Sequence, residues 1–294
     1  MGKPIVHILG AGGVAGVGLT RCLANDDRYT LTGWDDNPWA RKVAECDLTP
    51  STDADLILPV PDSLVRLWAG RPNTYLPPAD VIERCQNKEL AAKILGDHAP
   101  ETYWVRDTHG AGGAGAAKLT GQMCSEYLPG RNISVELLYW QGSLIGHFAK
   151  ERLSYKVTSV EPSVCGVGSS AVSRCISDPN AEDVARWAVR AIDGEPHGVY
   201  SVDLKEDKYG QPKITEINPG RFLTASYVYF LRTGYNLPRL LVEYALNLTL
   251  TPLPEYPEGV AVIRQTDSLP WVGYLPRHDS EDINGRRSHE CATV

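Results

Sequence analysis

Short apolar runs alternate with glycine- or proline-marked turns along most of the chain, and the hydrophobic period switches between two and nearly four. Pro4–Leu9 reads as a strand, GAGGVAG as a turn and Val17–Leu23 as a helix, with further strands at Tyr29–Trp34 and Leu56–Pro59. Strand, glycine turn, helix, strand is the opening of a βαβ unit and predicts a doubly wound parallel sheet. Val81–Leu95 carries Val81, Ile82, Cys85, Leu90 and Ile94 at helical spacing and predicts one amphipathic helix. Strands then dominate: Tyr103–Arg106, Glu126–Leu128, a run from Ile133, and a pair over Leu137–Phe148 that turns at Gln141-Gly142-Ser143. Asp178–Ile192 predicts a helix capped by Asp178, with Pro179 in its first turn and Val184, Trp187, Ala188 and Ala191 on one face. Leu237–Leu248 is a further helix and Gly259–Ile263 a last strand; from Arg277 the chain is polar and expected to be disordered.

Composition narrows the class. With 294 residues, 43% hydrophobic and 22% charged, the chain suits a soluble protein of two or three small domains. A net charge of −7 gives no electrostatic case for nucleic acid. No apolar run approaches the ~20 residues that span a bilayer, and the first apolar stretch is too short for a signal peptide. The seven cysteines are scattered and form no C-x-x-C pair, which points to a reduced, cytoplasmic protein without structural zinc. The histidines show no metal-ligand spacing, and no Ser/His/Asp set stands out.

The most informative stretch is Gly198–Arg221, GVYSVDLKEDKYGQPKITEINPGR. Val199–Leu204 and Lys213–Ile217 alternate as strands around a turn holding Glu206, Asp207, Lys208, Tyr209 and Gly210. Asp203 closes the first strand, and Glu216 and Asn218 share a face of the second. A short hairpin can bring these side chains together as hard oxygen ligands for Mg²⁺, which takes its other ligands from phosphate and water. A solvated charged hairpin is the competing reading.

A strand ending in an acid, a turn and a strand running into E-I-N-P resemble the metal hairpin of the ATP-grasp superfamily. Upstream segments resemble the same family in the same order: Asn87-Lys88, the basic strand end Arg106 followed by Gly110, Gly112, Gly113 and Gly115, and the hinge Glu126-Tyr127-Leu128. The resemblance, nearest to the carbamoyl-phosphate-synthetase-like carboxylate–amine ligases, covers residues 4 to 270. It implies an α/β and α+β architecture: a doubly wound pre-ATP-grasp domain at 1–85, a small ATP-grasp subdomain with a glycine flap at 86–125, a larger subdomain at 126–276 and a tail at 277–294. It implies ATP and Mg²⁺ (or Mn²⁺) as cofactors. Lys88, Arg106 and the flap glycines would hold phosphates, and Glu126, Tyr127 and Leu128 would meet the adenine. Asp203, Glu216 and Asn218 would hold the metal. Lys150, Arg152 and Arg221 would face the γ-phosphate, the substrate carboxylate or the oxyanion. The partners would be a small-molecule carboxylate and amine; relatives are often dimers, which makes a homodimer an expectation.

The pattern also departs from the family. Arg106 stands where lysine is usual, the flap-to-hinge connection is short, and Gly220 displaces Arg221 by one residue from the usual E-I-N-P-R. Two rival readings follow. GAGGVAG with Asp35 after the second strand fits an NAD-dependent oxidoreductase, in which that acid binds a ribose. The departures fit an ATP-binding regulatory protein without catalytic activity.

Overall fold

A computed structural model describes residues 2–49, 53–104, 123–155, 170–264 and 269–274. Arg106, the flap glycines Gly110, Gly112, Gly113 and Gly115, and the polar tail lie outside the described residues.

Strand β1 (Ile5–Leu9), helix α1 (Val14–Leu23), and strands β2 (Thr30–Trp34), β3 (Asp47–Leu48) and β4 (Leu56–Pro59) build a parallel sheet in the order β3-β2-β1-β4. The central strand buries Val6 and Ile8 completely. Gly18 on α1 is a close-approach position: a Cβ there would lie 2.8 Å from the Tyr227 ring. Tyr227 belongs to a later helix, so the first layer and the C-terminal helices share one apolar cluster.

After β4 come α2 (Asp62–Trp68), α3 (Ala79–Gln86) and α4 (Lys88–Leu95). The single helix expected over Val81–Leu95 is broken in two. The apolar spacing runs through the break, but Asn87 leaves the helical conformation and its Oδ1 accepts from Leu90 N–H at 3.1 Å, an N-cap that starts α4 afresh. The first residue of α4 is Lys88.

Strands β5 (Thr102–Trp104) and β6 (Met123–Ser125) form a two-stranded ribbon. Glu126–Leu128, expected within a strand, follows β6 as irregular chain. The main sheet is antiparallel, made of β7 (Asn132–Trp140), β8 (Ser143–Tyr155), β9 (Ser170–Cys175), β10 (Gly198–Glu206), β11 (Pro212–Pro219), β12 (Val260–Ile263) and β13 (Trp271–Tyr274), in the order β11-β10-β7-β8-β9-β12-β13. Gln141 and Gly142, both with positive φ (45° and 77°), make the tight β7–β8 turn.

Helix α5 (Pro179–Ile192) covers one face of this sheet. Asp178 caps it, accepting from Ala181 N–H at 3.1 Å. Its buried stripe is Ala181, Ala185, Ala188, Val189 and Ile192, one step round from the predicted one. Trp187 stays 42% exposed and lies tilted against His98, ring centres 4.1 Å apart. Ile133, Val135, Leu137, Val202, Leu204 and Ile217 meet this layer. The opposite sheet face is apolar at one end, where Leu138 and Phe148 pack with α6 (Ser226–Thr233) and α7 (Leu237–Ala245). A fully buried aromatic such as Phe230 contributes on the order of 1.5–3 kcal/mol there. At the other end the same face is polar.

Candidate active site

The polar end is organised by strand register. Asp203 is the direct partner of Glu216 on one side and of Ser134 on the other, and Ser134 is the partner of Lys150. Glu216, Asp203, Ser134 and Lys150 therefore form one cross-strand row. The next row runs Asn218, Ser201, Glu136 and Phe148. On the other side lie Lys205, Asn132 and Arg152. Side chains directly opposite across strands are close neighbours. A bulge between Asp203 and Leu204 keeps Glu216 beside Asp203 while Ile214 and Ile217 both turn to the core.

Asp203 and Glu216 thus stand together as the hairpin pattern predicts, with Asn218 beside them on β11. Asp203 Oδ1 accepts from Ser134 Oγ at 2.8 Å and from Arg152 Nη2 at 2.6 Å. Lys88 Nζ lies 3.9 Å from Glu216 Oε1, so the Asn-Lys step at the α3–α4 break delivers its lysine to the hairpin acid. Asn218 Oδ1 accepts from Arg221 Nη2 at 3.0 Å. Arg221 also forks onto Asp62 of α2, with Nε to Oδ1 at 2.5 Å and Nη2 to Oδ2 at 3.2 Å. Burial works against the Arg221 charge, but the Asp62 hydrogen bond and charge outweigh it and raise its pKa.

Among the described residues, no group of three or more His, Cys, Asp and Glu side chains converges to hold a metal. The donor set at the hairpin is two carboxylates and one amide oxygen. Such a hard, incomplete set suits Mg²⁺, which keeps water and substrate phosphate as its remaining ligands. Arg152 and Lys88 supply counter-charge to the two carboxylates.

Lys150 departs from its expected place. It lies inside β8, not at its exit, and it is 1% exposed. The row that starts at exposed Glu216 ends there, beneath α6. The Lys150 ammonium donates to Ser226 Oγ at 2.5 Å and lies 3.9 Å from the fully buried Glu136. Burial lowers the Lys150 pKa and raises that of Glu136. Glu136 Oε1 accepts from Leu223 N–H, which ties this pair to the loop that carries Arg221.

At the hinge, Glu126 Oε1 accepts from Glu101 N–H at 3.2 Å, Leu128 is buried and Tyr127 is 65% exposed. Lys205 Nζ sits 5.3 Å from the centre of the Tyr127 ring. Lys205 also shares the strand face of Asp203 two residues away, so it stands between Tyr127 and the acidic hairpin. A cavity of about 680 Å³ opens beside the hinge, lined by Glu101, Glu126, Tyr127 and Lys213 among others. The carboxylate end is a narrow cleft of about 80 Å³ bordered by Lys88, Ser125 and Glu216. A larger cavity of about 1030 Å³, lined by His147, Tyr235 and Tyr256 among others, lies away from both. The cleft takes in Glu216 and Lys88, and Asp203 is the cross-strand partner of Glu216.

Sequence reasoning missed Lys205, Ser134, Glu136 and Asp62. Alternation within β10 and β7 carries a signal for the first three, since each lies an even number of residues from a site residue or its strand partner. Asp62 has none, being 159 residues from Arg221.

Asp35, the acid of the nicotinamide reading, is bonded to the glycine turn. Asp35 Oδ2 accepts from Gly12 N–H at 2.8 Å. A Cβ on Gly12 would lie 2.4 Å from Cβ of Ala40, which is itself fully buried. The glycine turn is filled by the chain's own residues.

The class of fold is thus α/β and α+β: a small parallel sheet, then a two-stranded ribbon and a larger antiparallel sheet with an acidic hairpin at its edge. The chain has the ATP-grasp fold, as its likeness to solved structures shows. It superposes on an ATP-grasp superfamily protein from Archaeoglobus fulgidus with a TM-score of 0.65 at 15% identity, covering 93% of this chain and 100% of that one. An L-amino acid ligase from Bacillus licheniformis matches with a TM-score of 0.61 at 15% identity, over 89% of this chain and 79% of that one. Phosphoribosylglycinamide synthetase from Anaerococcus prevotii gives 0.64 at 11% identity, over 89% and 80%. In sequence, the chain is 29% identical over 150 residues to carnosine synthase 1 of Gallus gallus, a match that takes in 49% of this chain and only 15% of that protein's length. No protein-family model matches the chain. Among the described residues, no helix is long and apolar enough to cross a membrane.

Proposed function

We propose that the protein is a cytoplasmic, ATP-dependent carboxylate–amine ligase. The observation that carries this reading is the pairing of Asp203 with Glu216 across β10 and β11, with Asn218 beside them and Arg152 and Lys88 against the two carboxylates, within an ATP-grasp fold. L-amino acid ligase and carnosine synthase among the similar proteins support the same reaction class.

In this reading an oxygen of the substrate carboxylate attacks the γ-phosphorus of ATP, the bond to the β-phosphate oxygen breaks, and ADP leaves. The substrate amine then attacks the acyl carbon, inorganic phosphate departs, and the amine gives up a proton. Magnesium bound at Asp203, Glu216 and Asn218 would supply neutralisation of phosphate oxygens. Lys88, released from Glu216, and Arg106 with the flap amides at 110–115 bind phosphate oxygens. Tyr127, Leu128 and Glu126 take the adenine, and Lys205 carries positive charge along the path from hinge to hairpin. Arg152 and Arg221 stabilise charge on the transferring phosphoryl group and on the oxyanion. Lys150 acts from beneath, holding Ser226 and the 220–226 loop with Glu136.

The test is thermal unfolding of the whole protein with and without Mg-ATP. A ligand bound only to the folded state at 100 times its Kd adds about 2.7 kcal/mol. A shift with Mg-ATP that EDTA abolishes supports the reading and justifies screening acid–amine pairs for ADP release. No shift at millimolar Mg-ATP removes it. A shift without ADP release from any pair would favour a non-catalytic ATP-binding protein.

A further inference from the structure

The extra glycine before Arg221 raises the question of how a displaced arginine returns to the site. Gly220 has a φ of +79°, and a Cβ on it would lie 2.8 Å from both Leu76 and Val65, so the bend has room only for glycine. The backbone that follows is pinned. Gly220 N–H donates to Val199 O at 2.6 Å, Ser201 Oγ donates to Arg221 O at 2.8 Å, and Leu223 N–H donates to Glu136. These bonds fix where the Arg221 side chain starts. They do not fix where its guanidinium ends.

That is settled by Asp62. It begins α2 beside the N-terminal parallel sheet, and its carboxylate takes Nε and Nη2 of Arg221 as a two-point fork while Nη2 also reaches Asn218. The Asp62 side chain is 55% exposed and that of Arg221 19%. An ion pair so open to water adds little to stability. A fork of this geometry does fix the plane and direction of a guanidinium, which a single charge contact would not. We propose that Asp62 is a positioning residue for the phosphoryl end of the site, holding the displaced Arg221 against Asn218 so that it meets phosphoryl oxygens. The proposal rests on the ATP-ligase reading.

The test is calorimetric titration of the full chain, first with Mg-ADP and then with inorganic phosphate added to the Mg-ADP complex, the phosphate probing the γ-position. Asp62→Asn is expected to keep Mg-ADP affinity within about twofold and to weaken phosphate binding about tenfold, as Arg221→Ala does. Asp62→Glu should restore most of the loss, and the double variant Asp62→Asn/Arg221→Ala should bind phosphate no more weakly than Arg221→Ala alone. Phosphate affinity unchanged in Asp62→Asn, or losses that multiply in the double variant, would overturn the proposal. Mg-ADP binding by the wild type without any phosphate binding would overturn it as well, leaving the nucleotide reading intact. A wild type that binds no Mg-ADP would overturn both.

Discussion

Asp203 on β10 and Glu216 on β11 face each other across the hairpin, and each has its own cation, Arg152 at 2.6 Å and Lys88 at 3.9 Å. Two carboxylates side by side repel each other, and the cations relieve this in the free protein. In the ligase reading a divalent ion would relieve it further and would displace Lys88, whose contact with exposed Glu216 is long and weak. Asp203→Asn and Glu216→Gln should each cost about 3 kcal/mol of charge stabilisation, roughly a hundredfold in Mg-ATP affinity or turnover. Titration of each variant with Mg-ATP checks this; wild-type affinity in Glu216→Gln would remove the metal assignment.

Lys150 and Glu136 form a buried pair 3.9 Å apart, closed off by α6. Glu136 Oε2 has no hydrogen-bond partner, so the lysine charge is what answers it. Lys150→Met should therefore destabilise the fold by about 3–5 kcal/mol, the usual cost of leaving one buried charge alone. Adding Glu136→Leu should recover most of that. Urea unfolding midpoints of the single and double variants give the answer, and equal midpoints for wild type and Lys150→Met would mean that Glu136 is neutral in the native state.

Local chemistry was legible where the deciding contact lies nearby in the chain. The GAGGVAG turn, the Gln141-Gly142 hairpin, the Asp178 cap and the Asp203–Glu216 hairpin are all settled within about twenty residues, and each reads from turn and strand patterns. The α3–α4 break was hidden because Ala91 and Leu95 continue the apolar period of Val81 and Cys85 across Asn87. Lys150 looked like a strand end because the sequence Lys-Glu-Arg is polar. Its burial is imposed by α6, some seventy residues later. Asp62 and Arg221 meet through tertiary structure alone, so no local pattern reports them.

Asp35 is held by the chain's own turns, its Oδ2 accepting from Gly12 N–H at 2.8 Å and its Oδ1 from Asn37 N–H at 2.9 Å, and the turn beside it is closed by Ala40. Adding NAD or NADH at millimolar concentration should leave the thermal midpoint where it is. Gly12→Ala should destabilise the protein by about 1–3 kcal/mol, because its Cβ would drive into Ala40. A stabilising shift with NADH would return the chemistry to the first sheet.

His7 sits in the middle of β1 with 1% exposure; its Nδ1 lies 2.8 Å from Thr32 Oγ1 and its Nε2 has no partner. Burial lowers its pKa below 6.5, and the same cause lowers those of His147 and His197. The sign follows from proton counting. Near and below pH 6.5 the unfolded chain takes up protons that the native rings refuse, so stability is complete above that pH and falls as the solution is acidified toward the native pKa values. The urea midpoint should therefore drop between pH 7.5 and pH 5.5, with no comparable loss between pH 7.5 and pH 8.5. In His7→Leu the absolute stability changes as Thr32 loses its partner, but the drop on acidification should become shallower. An acid slope identical to that of the wild type would assign the effect to His147 and His197 instead.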